Sequence, residues 1–439
     1  MTQIKLSDRM AKRITALLTG GMLAAAALPG FAAPVELTLD EAIVMALKSN
    51  PAIKISESDV KKADWDIKAA KAGKAPSVDL SHNASRSKSA ESKILGVTIP
   101  SSIGNKFANS VDMTLPLYTG GRLEGTIEKA KLGRKSADFG VEKAQQQVKL
   151  DATNGYYSIL QTRNLVKLRE ESVNQLTAHL KNVEAQYGAG TVAKSDVLRS
   201  EVEKAKAEQN LIIAKNSYEL AISNLNNVIG LPLETEIAVK EELKYEEFSQ
   251  TLEDCIKLAL ANRPDLAQAN TSVESAKADI KVAESGSKLS VAATASEKWS
   301  DSEFPGTDNN TWAIGINASY NLFDAGITKS KVKGAEVTLD KVSEQLRQIK
   351  DAAQLEVRQA YLNMKEAEKR IDTSKVAVTK GEEDFKIAQV RYSAGVGTNL
   401  DVIDSQVALT SAKTDYVQAL YDYNTSRAKL DKAMGVAVK

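Results

Sequence analysis

Two long, proline-free stretches of the chain carry apolar and small residues at helical spacing. Residues 122–187 and 327–391 place these side chains at steps of three and four, which aligns them along one face of an α-helix. In the second stretch the face comprises Val342, Leu346, Ile349, Ala353, Val357, Ala360, Met364, Ala367 and Ile371. At about 1.5 Å per residue, each stretch predicts a helix of roughly 100 Å. Each must bury its apolar face on the other long helix, on a returning helix (195–229 or 400–434) or on another chain.

Before each long helix the apolar period changes to two. Residues 76–86 and 107–118 alternate in the first half of the chain, and residues 288–299 and 311–323 alternate in the second. Such alternation predicts β-strands with one apolar face. The aligned apolar residues are Val111, Met113, Leu115 and Leu117 in the first half, and Trp312, Ile314, Ile316, Ala318 and Tyr320 in the second. We predict two β-hairpins, and the first has a polar loop at about 88–106.

These four strands have the length that crosses a bilayer, about 9–11 tilted residues. Their alternation suits a wall with lipid on one side and water on the other. Four strands cannot close a barrel, and an open sheet edge in hydrocarbon is too costly to persist. Membrane-spanning strands would therefore require several chains in one barrel. The alternation alone is equally compatible with a soluble four-stranded sheet.

The chain contains the same unit twice. LDEAIVMALKSNP at 39–51 recurs as LEDCIKLALANRP at 252–264, an offset of 213 (252 minus 39). LPLYTGG at 115–121 corresponds to YNLFDAG at 320–326, an offset of 205 (320 minus 115), which indicates a duplication with a loop eight residues longer in the first copy. The glycine-rich turns repeat at the same offset, with YGAGTVAKSDVLRSE at 187–201 and YSAGVGTNLDVIDSQ at 392–406. We predict repeats at 34–230 and 252–439, joined by a linker at 231–251. After each turn a new helix begins, with Ser195 or Thr398/Asn399 as candidate caps.

The first residues predict export. A basic start with Lys5, Arg9, Lys12 and Arg13, an apolar run and a small-residue cleavage site mark residues 1–33 as a signal peptide. Its removal changes the net charge from +1 to −2, because four basic groups and one acidic group leave, so nothing favours nucleic acid. No later run of 18 apolar residues predicts a membrane-spanning helix. Charged residues make up 26% and aromatic residues 5%, a composition typical of long helices.

On the duplicated L(D/E)(E/D)xIxxAL…P opening, the LPLYTGG/YNLFDAG junctions and the YxAG…DV turns, the chain resembles the TolC-like outer-membrane efflux protein family. The resemblance implies an α+β membrane protein. In its homotrimer each chain gives four transmembrane β-strands to a 12-stranded β-barrel, which a long periplasmic α-helical barrel continues. It also implies a passive exit duct of a tripartite efflux or type I secretion system, located in the outer membrane. The implied partners are outer-membrane lipid, a periplasmic adaptor and an inner-membrane transporter of the RND, ABC or MFS type, with no cofactor.

The resemblance also implies a gate at the periplasmic tip. Asp401 and Asp404 fall where aspartates close the narrowest ring of the duct, and rings of carboxylates attract cations. Asp196 is the first-copy counterpart of Asp401, and Tyr392 matches a tyrosine that helps hold the aperture shut. Helix-end charge stabilisation is the alternative role for the aspartates. The restraining arginine of the family falls on Gly397, which leaves Arg199 or Arg391 as substitutes.

The glycine turns resemble the tips where adaptors dock, although they also reverse the chain. The docking candidates are Ala189, Gly190, Thr191, Ala394, Gly395 and Val396. The only histidines, His82 and His179, and the only cysteine, Cys255, form no catalytic or metal-binding pattern. We therefore expect no enzyme activity. The alternative to a duct is a periplasmic coiled-coil structural or tethering protein whose strands form a soluble sheet.

Overall fold

The computed structural model describes residues 35–94 and 96–438, so the predicted signal peptide lies outside the described residues. The first half contains β1 (Val35–Leu37), α1 (Leu39–Ser49), α2 (Pro51–Ala72), β2 (Ser77–Ser89), β3 (Ser92–Ile94), β4 (Val97–Ile99), β5 (Ser102–Thr119), α3 (Arg122–Gly188) and α4 (Lys194–Ile229). The second contains β6 (Ile237–Val239), α5 (Leu252–Asn262), α6 (Pro264–Glu284), a 3₁₀ turn (Ser285–Ser287), β7 (Ser290–Asp301), β8 (Thr311–Ser319), α7 (Ile327–Ser393) and α8 (Asn399–Ala433).

The two predicted long helices are confirmed. Helices α3 and α7 each contain 67 residues and end within two residues of the predicted positions. Their apolar seams become buried as expected, with Val148 and Ile159 in α3 and Val357 and Met364 in α7 almost fully covered. At about 1.5 Å per residue, each helix runs roughly 100 Å from the sheet to the opposite tip.

The helices form a layer that is one helix thick. Near the sheet the order across the layer is α2, α3, α6, α7; towards the far tip it is α4, α3, α8, α7. Helices α1 and α5 pack on α3 and α7 near the middle, and β1 pairs there in parallel with β6. The largest hydrophobic cluster lies at this level, around Tyr156, Ile159, Leu225, Met364 and Tyr423. In the part of the chain that the structure describes, every helix is too short or too polar to be a membrane span.

The main sheet is an antiparallel meander in the order β2-β5-β7-β8. Strands β2 and β5 pair over their whole length, from Ser77 opposite Thr114 to Ser89 opposite Ser102. Strand β7 joins the first hairpin to the second by pairing with both β5 and β8. Strands β2 and β8 are thus the two edges of the sheet, and neither pairs with a further strand in the described chain.

Three details of the strand predictions were wrong. The segment at 88–106 is not an open loop: β2 and β5 extend into it as a two-stranded ribbon, and β3 and β4 form a small hairpin at its end. A two-stranded ribbon needs no buried face, so its polar residues carry no hydrophobic period. In addition, the pairing of β5 with β7 shifts by one residue between Pro116 and Tyr118. Tyr118, rather than the predicted Leu117, therefore follows Leu115 on the apolar face. Strand β8 ends at Ser319, before Tyr320.

Candidate membrane sheet and helical tip

One face of the main sheet is apolar and exposed. Residues directly opposite each other in an antiparallel sheet point to the same side, and Val78, Met113, Ala295 and Ile314 are aligned across all four strands. Ile314 is 78% exposed although it lies on a central level of the sheet. A surface of this kind needs a partner other than water.

The next level away from the helices continues this face. It aligns Leu80, Val111, Glu297 and Trp312, and Leu80 and Trp312 are 77% and 74% exposed. The Glu297 carboxylate accepts a hydrogen bond from the Asn310 amide (3.1 Å). A level towards the helices aligns Leu115, Ala293 and Ile316 in the same way.

The opposite face of the sheet is polar. Asp79, Asp112, Ser296 and Ala313 are aligned across the four strands, one residue out of phase with the apolar level. The Ser110 hydroxyl donates a hydrogen bond to the Asp112 carboxylate (2.6 Å). The sheet therefore separates two environments, one suited to hydrocarbon and the other to water.

Aromatic residues lie at both ends of the apolar face. Tyr118 lies at the end nearest the helices, and Trp299 and Phe107 lie at the other end. The 302–310 loop folds over this far end: the Phe304 ring is 5.7 Å from the Phe107 ring, and the Asn109 amide donates to the Pro305 and Gly306 carbonyls (2.9 and 3.0 Å). Aromatic belts of this kind mark the two interfaces of a membrane-spanning segment.

The far ends of the two helical hairpins share one turn geometry. Gly190 and Gly395 adopt positive φ values of 77° and 72°, and the amide that follows each glycine bonds back to a carbonyl five residues earlier. These bonds are Thr191 N–H to Gln186 O and Val396 N–H to Arg391 O, both 3.0 Å. The six predicted docking residues all lie exposed at these two tips. Their docking role stays a prediction.

Asn399 joins the two hairpins just above the tips. This residue opens α8 and is only 4% exposed. Its Oδ1 accepts hydrogen bonds from Nε2 of His179 (2.6 Å) on α3 and from the Ser200 hydroxyl (3.2 Å) on α4, while its Nδ2 donates to the Asp196 carbonyl (3.1 Å). Because an amide oxygen only accepts, the His179 proton must be on Nε2. We call this cluster the Asn399 node.

Tyr392 lies beside the Asn399 node. Its ring centroid is 5.2 Å from that of His179, and only 4% of the residue is exposed. The hydroxyl has no hydrogen-bond partner among the described residues. Burial, and secondarily the charge of Asp196, raises the pKa of Tyr392, so the phenol stays neutral. The ring thus packs the second hairpin onto the first, and its closing role stays a prediction.

The predicted gate aspartates lie near the node but in different settings. Asp401 forms a capping box with Thr398: Asp401 N–H donates to Thr398 Oγ1 (3.1 Å), and Thr398 N–H donates to Asp401 Oδ2 (3.0 Å). Hydrogen bonds from Thr398, with a smaller effect of Arg391, lower the pKa of Asp401. Asp401 therefore stabilises the start of its helix, the alternative role considered for it. Asp404 is exposed on the next turn.

Asp196 is half-buried in the first turn of α4. The residue before that helix is Ala193, with no side-chain cap, so the predicted Ser195 cap was wrong whereas the Thr398 cap is confirmed. The Asp196 carbonyl accepts hydrogen bonds from the Ser200 hydroxyl and from the Asn399 amide.

Arg199 and Arg391 were considered as substitutes for the restraining arginine of the family. Neither forms a salt bridge within the described part of the chain. Arg391 donates to the Val396 carbonyl at 3.4 Å, and Arg199 is exposed. A Cβ atom on Gly397 would lie 3.0 Å from the Tyr392 nitrogen, so the backbone is too close there for a side chain without a local shift. Close packing of this turn therefore favours glycine at position 397.

We expect the tip to lose stability in mild acid. Burial lowers the pKa of His179 and outweighs the opposing hydrogen bond to Asn399. An unfolded histidine binds its proton near pH 6.5, so below that pH the unfolded state holds more protons than the folded tip. Stability should therefore fall as the pH drops through 6.5 towards the lower folded pKa. Amide hydrogen exchange of the tip at pH 7.5 and 5.5, corrected for intrinsic rates, would measure this.

The two histidines give this test a matched control. His179→Gln keeps a donor towards Asn399 but does not titrate, so its tip should lose the acid response, whereas His82→Gln in the sheet should keep it. Equal acid responses in both variants would show that another group is responsible.

The described residues include no group of three or more His, Cys, Asp or Glu side chains placed to hold a metal ion. Cys255 is fully buried on α5, and burial raises the pKa of its thiol, which keeps it unreactive as expected.

The comparisons with known proteins agree with this arrangement. The family model described as outer membrane efflux protein matches residues 42–231 and 255–436. The chain belongs to the outer membrane efflux protein family. Its location is accordingly the outer membrane, and the members and structural neighbours of this family are channels and efflux proteins rather than enzymes.

Individual relatives of this outer membrane efflux protein are distant. It is 23% identical to outer membrane protein TolC of Salmonella enteritidis over 342 residues, 75% of this chain and 69% of TolC. It is also 23% identical to the outer membrane efflux protein BepC of Brucella suis over 424 residues, 94% and 88% of the two chains. The CmeC outer membrane channel of Campylobacter jejuni superposes with a TM-score of 0.77 at 19% identity, covering 90% of this chain and 85% of CmeC. This likeness confirms the TolC-like fold.

Proposed function

We propose that this outer membrane efflux protein is a passive exit duct made of three chains. The single observation that carries the proposal is the sheet, which exposes an apolar face on one side and a polar face on the other. In a closed barrel the apolar face would contact lipid and the polar face would line a water-filled lumen. The long helices would continue this wall into the periplasm.

The edges of the sheet support closure by several copies. Strand β2 runs away from the helices and β8 returns towards them, so β8 of one chain beside β2 of the next would be antiparallel, like all other pairs in the sheet. Three chains with four strands each would give 12 strands and leave no edge in hydrocarbon.

The edges of the helical layer support the same assembly. Helix α7 exposes Leu355, Leu362, Val376 and Val390, which are separated by multiples of seven residues. At the other edge, α4 exposes an apolar series: Leu198, Val202, Ile212 and Leu220. Seven-residue spacing is the pattern by which helices pack side by side in coiled coils, so α7 of one chain can pack on α4 of its neighbour.

The duct would depend on partner proteins for energy and for the selection of the transported substrate. A periplasmic adaptor would bind the two exposed glycine tips and connect the duct to an inner-membrane transporter of the RND, ABC or MFS type. The same architecture serves tripartite efflux and type I secretion. The tethering alternative is disfavoured, because a soluble sheet would bury side chains such as Ile314, Leu80 and Trp312 instead of exposing them.

Membrane fractionation followed by the mass of the purified oligomer tests the duct. We expect the protein in the outer-membrane fraction, and light scattering corrected for detergent should give three chains. A soluble monomer or dimer in the periplasmic fraction would contradict the duct and favour the tether.

The gate can be tested on Asp404 separately from helix capping. Asp404→Asn would remove one carboxylate per chain without touching the capping box, so in planar bilayers we expect cation preference to fall roughly twofold and conductance to rise. Asp415→Asn is the matched control, because Asp415 is exposed eleven residues further along the same face of α8, about 16 Å from Asp404. If wild type and Asp404→Asn gave equal currents and equal selectivity, the proposed ring of Asp404 carboxylates would be refuted.

A further inference from the structure

Two basic side chains extend the apolar face of the sheet away from the helices. Arg86 and Lys88 lie on β2 opposite Asn105 and Ile103. Their even positions place them on the same side as Val78 and Leu80, which belong to the apolar face. Both are exposed, and neither forms an ion pair with another residue in the described ranges 35–94 and 96–438. The apolar face therefore ends in free positive charge.

The distance of Arg86 and Lys88 from the aromatic end of the apolar face shows where they would lie relative to the membrane. His82 is aligned with Asn109 and Trp299 at the far end of the four-stranded sheet. Arg86 follows four residues later, about 14 Å along the strand, which for a strand tilted by about 40° is roughly 10 Å along the membrane normal. The rings of an aromatic belt lie at headgroup level, so Arg86 and, two residues further on, Lys88 would start just outside the headgroups, and their long side chains would extend back to them.

The 302–310 loop shapes the surface beneath these charges. Phe304 covers His82 and Phe107 on the apolar side and is itself 73% exposed. Gly306 allows this close approach: its φ is +81°, and an added Cβ would lie 2.6 Å from the Phe107 carbonyl oxygen. An apolar, aromatic surface thus lies directly below two unpaired cations.

We propose that Arg86 and Lys88 bind the phosphate group of an anionic lipid in the outer leaflet, whose acyl chains pack on Phe304 and Trp299. The inference rests on the proposed function, because it requires the apolar face to contact the bilayer. A guanidinium donates two parallel hydrogen bonds to phosphate, and a nearby ammonium adds a second charge. Lipid contact of this kind would fix the height of the sheet in the membrane.

A second copy of the chain is the competing occupant. In a closed barrel, the loop before β8 of one copy would approach β2 of the next and bring the acidic residues Glu303 and Asp308 nearer. That loop, however, is already bonded to its own chain through Asn109 and through the Phe304–Phe107 contact, on the side facing away from β8. The geometry therefore favours lipid over the neighbouring copy.

The test uses the full-length assembly in phosphatidylcholine nanodiscs containing bisphosphorylated lipid A or its dephosphorylated form. We expect the double variant Arg86→Gln/Lys88→Gln to raise the apparent Kd for bisphosphorylated lipid A about 5- to 10-fold, as two partly solvated ion pairs would. Wild-type protein should bind the dephosphorylated lipid as weakly as this variant does. Native mass spectrometry of lipid retained per assembly gives both values.

Lys106→Gln/Lys298→Gln is the matched control. It removes the same charge from the polar face, where Lys106 is opposite Ser85 and Lys298 is opposite Ser110, so it should bind lipid A like the wild type. Equal weakening in both double variants, or none in either, would overturn the proposal. Loss of the trimer in Arg86→Gln/Lys88→Gln with lipid binding per chain unchanged would assign the pair to the neighbouring copy instead. Failure of the wild type to enter nanodiscs at all would overturn the duct itself.

Discussion

Replacing Ile314 with arginine is expected to abolish stable insertion of the sheet into the outer membrane. Ile314 lies midway along the apolar face, between its two aromatic ends, and is 78% exposed, so the new charge would project into hydrocarbon. A cation at the midplane of a membrane-spanning barrel costs about 2–4 kcal/mol per chain, and a trimer would carry three. We expect the variant to be lost from the outer-membrane fraction and to be degraded by protease in intact cells.

The adjacent residue provides the control for this expectation. Ala313 lies on the polar face, so Ala313→Arg introduces the same side chain one position away but directs it to the opposite side of the sheet. This variant should insert and assemble at wild-type levels. If both variants were lost to the same extent, side-chain size or strand propensity would explain the defect, and the apolar face would not be a lipid contact.

Replacing Asn399 with leucine is expected to loosen the helical tip. The change leaves the buried His179 ring without its acceptor and removes the donor to the Asp196 carbonyl. Each buried polar group left unpaired costs about 1–3 kcal/mol. A local loss of about 2 kcal/mol would speed tip amide exchange roughly 30-fold, since 1.4 kcal/mol is a factor of ten. Hydrogen-exchange mass spectrometry of tip peptides would detect this change.

Asn210 offers the comparison for Asn399. It is an exposed asparagine on α4, and it makes no side-chain hydrogen bond within the described residues. Asn210→Leu should leave exchange at the tip unchanged, as should peptides around Tyr423 at the middle of the layer in either variant. If the tip of the Asn399→Leu variant exchanged its amides at the wild-type rate, the Asn399 node would not be what holds the two hairpins together.

The sequence predicted the long helices and the sheet because their burial pattern is periodic. Val357 and Met364 lie on a seam repeated over many turns, so small errors in the pattern average out. The ribbon that carries Arg86 and Lys88 escaped prediction because both of its faces are solvated and no period marks it. The shift at Leu117 was not predicted because it depends on how β5 pairs with β7. The alternation of residues along one strand gives no information about that pairing.

The Asn399 node could be predicted only in part. An asparagine at the start of a helix usually acts as a cap, and Asn399 was considered as one beside Thr398. Its buried partner His179 stands 220 residues away, between Leu176 and Val183 on a seam that also buries Ser172. A buried polar residue on such a seam indicates that a partner exists. The identity of that partner depends on how α3 and α8 pack, which the order of residues alone does not determine.

The Asn399 node makes one kind of opening motion easier than another. To swing α7 and α8 away from α3 and α4, the chain must break hydrogen bonds to three residues at once. Rotating a whole chain against its neighbours leaves all of them intact and only slides one apolar helix edge along another. In a trimer, the aperture would then behave as an iris of three rigid blades, and the force that opens it would have to act between chains.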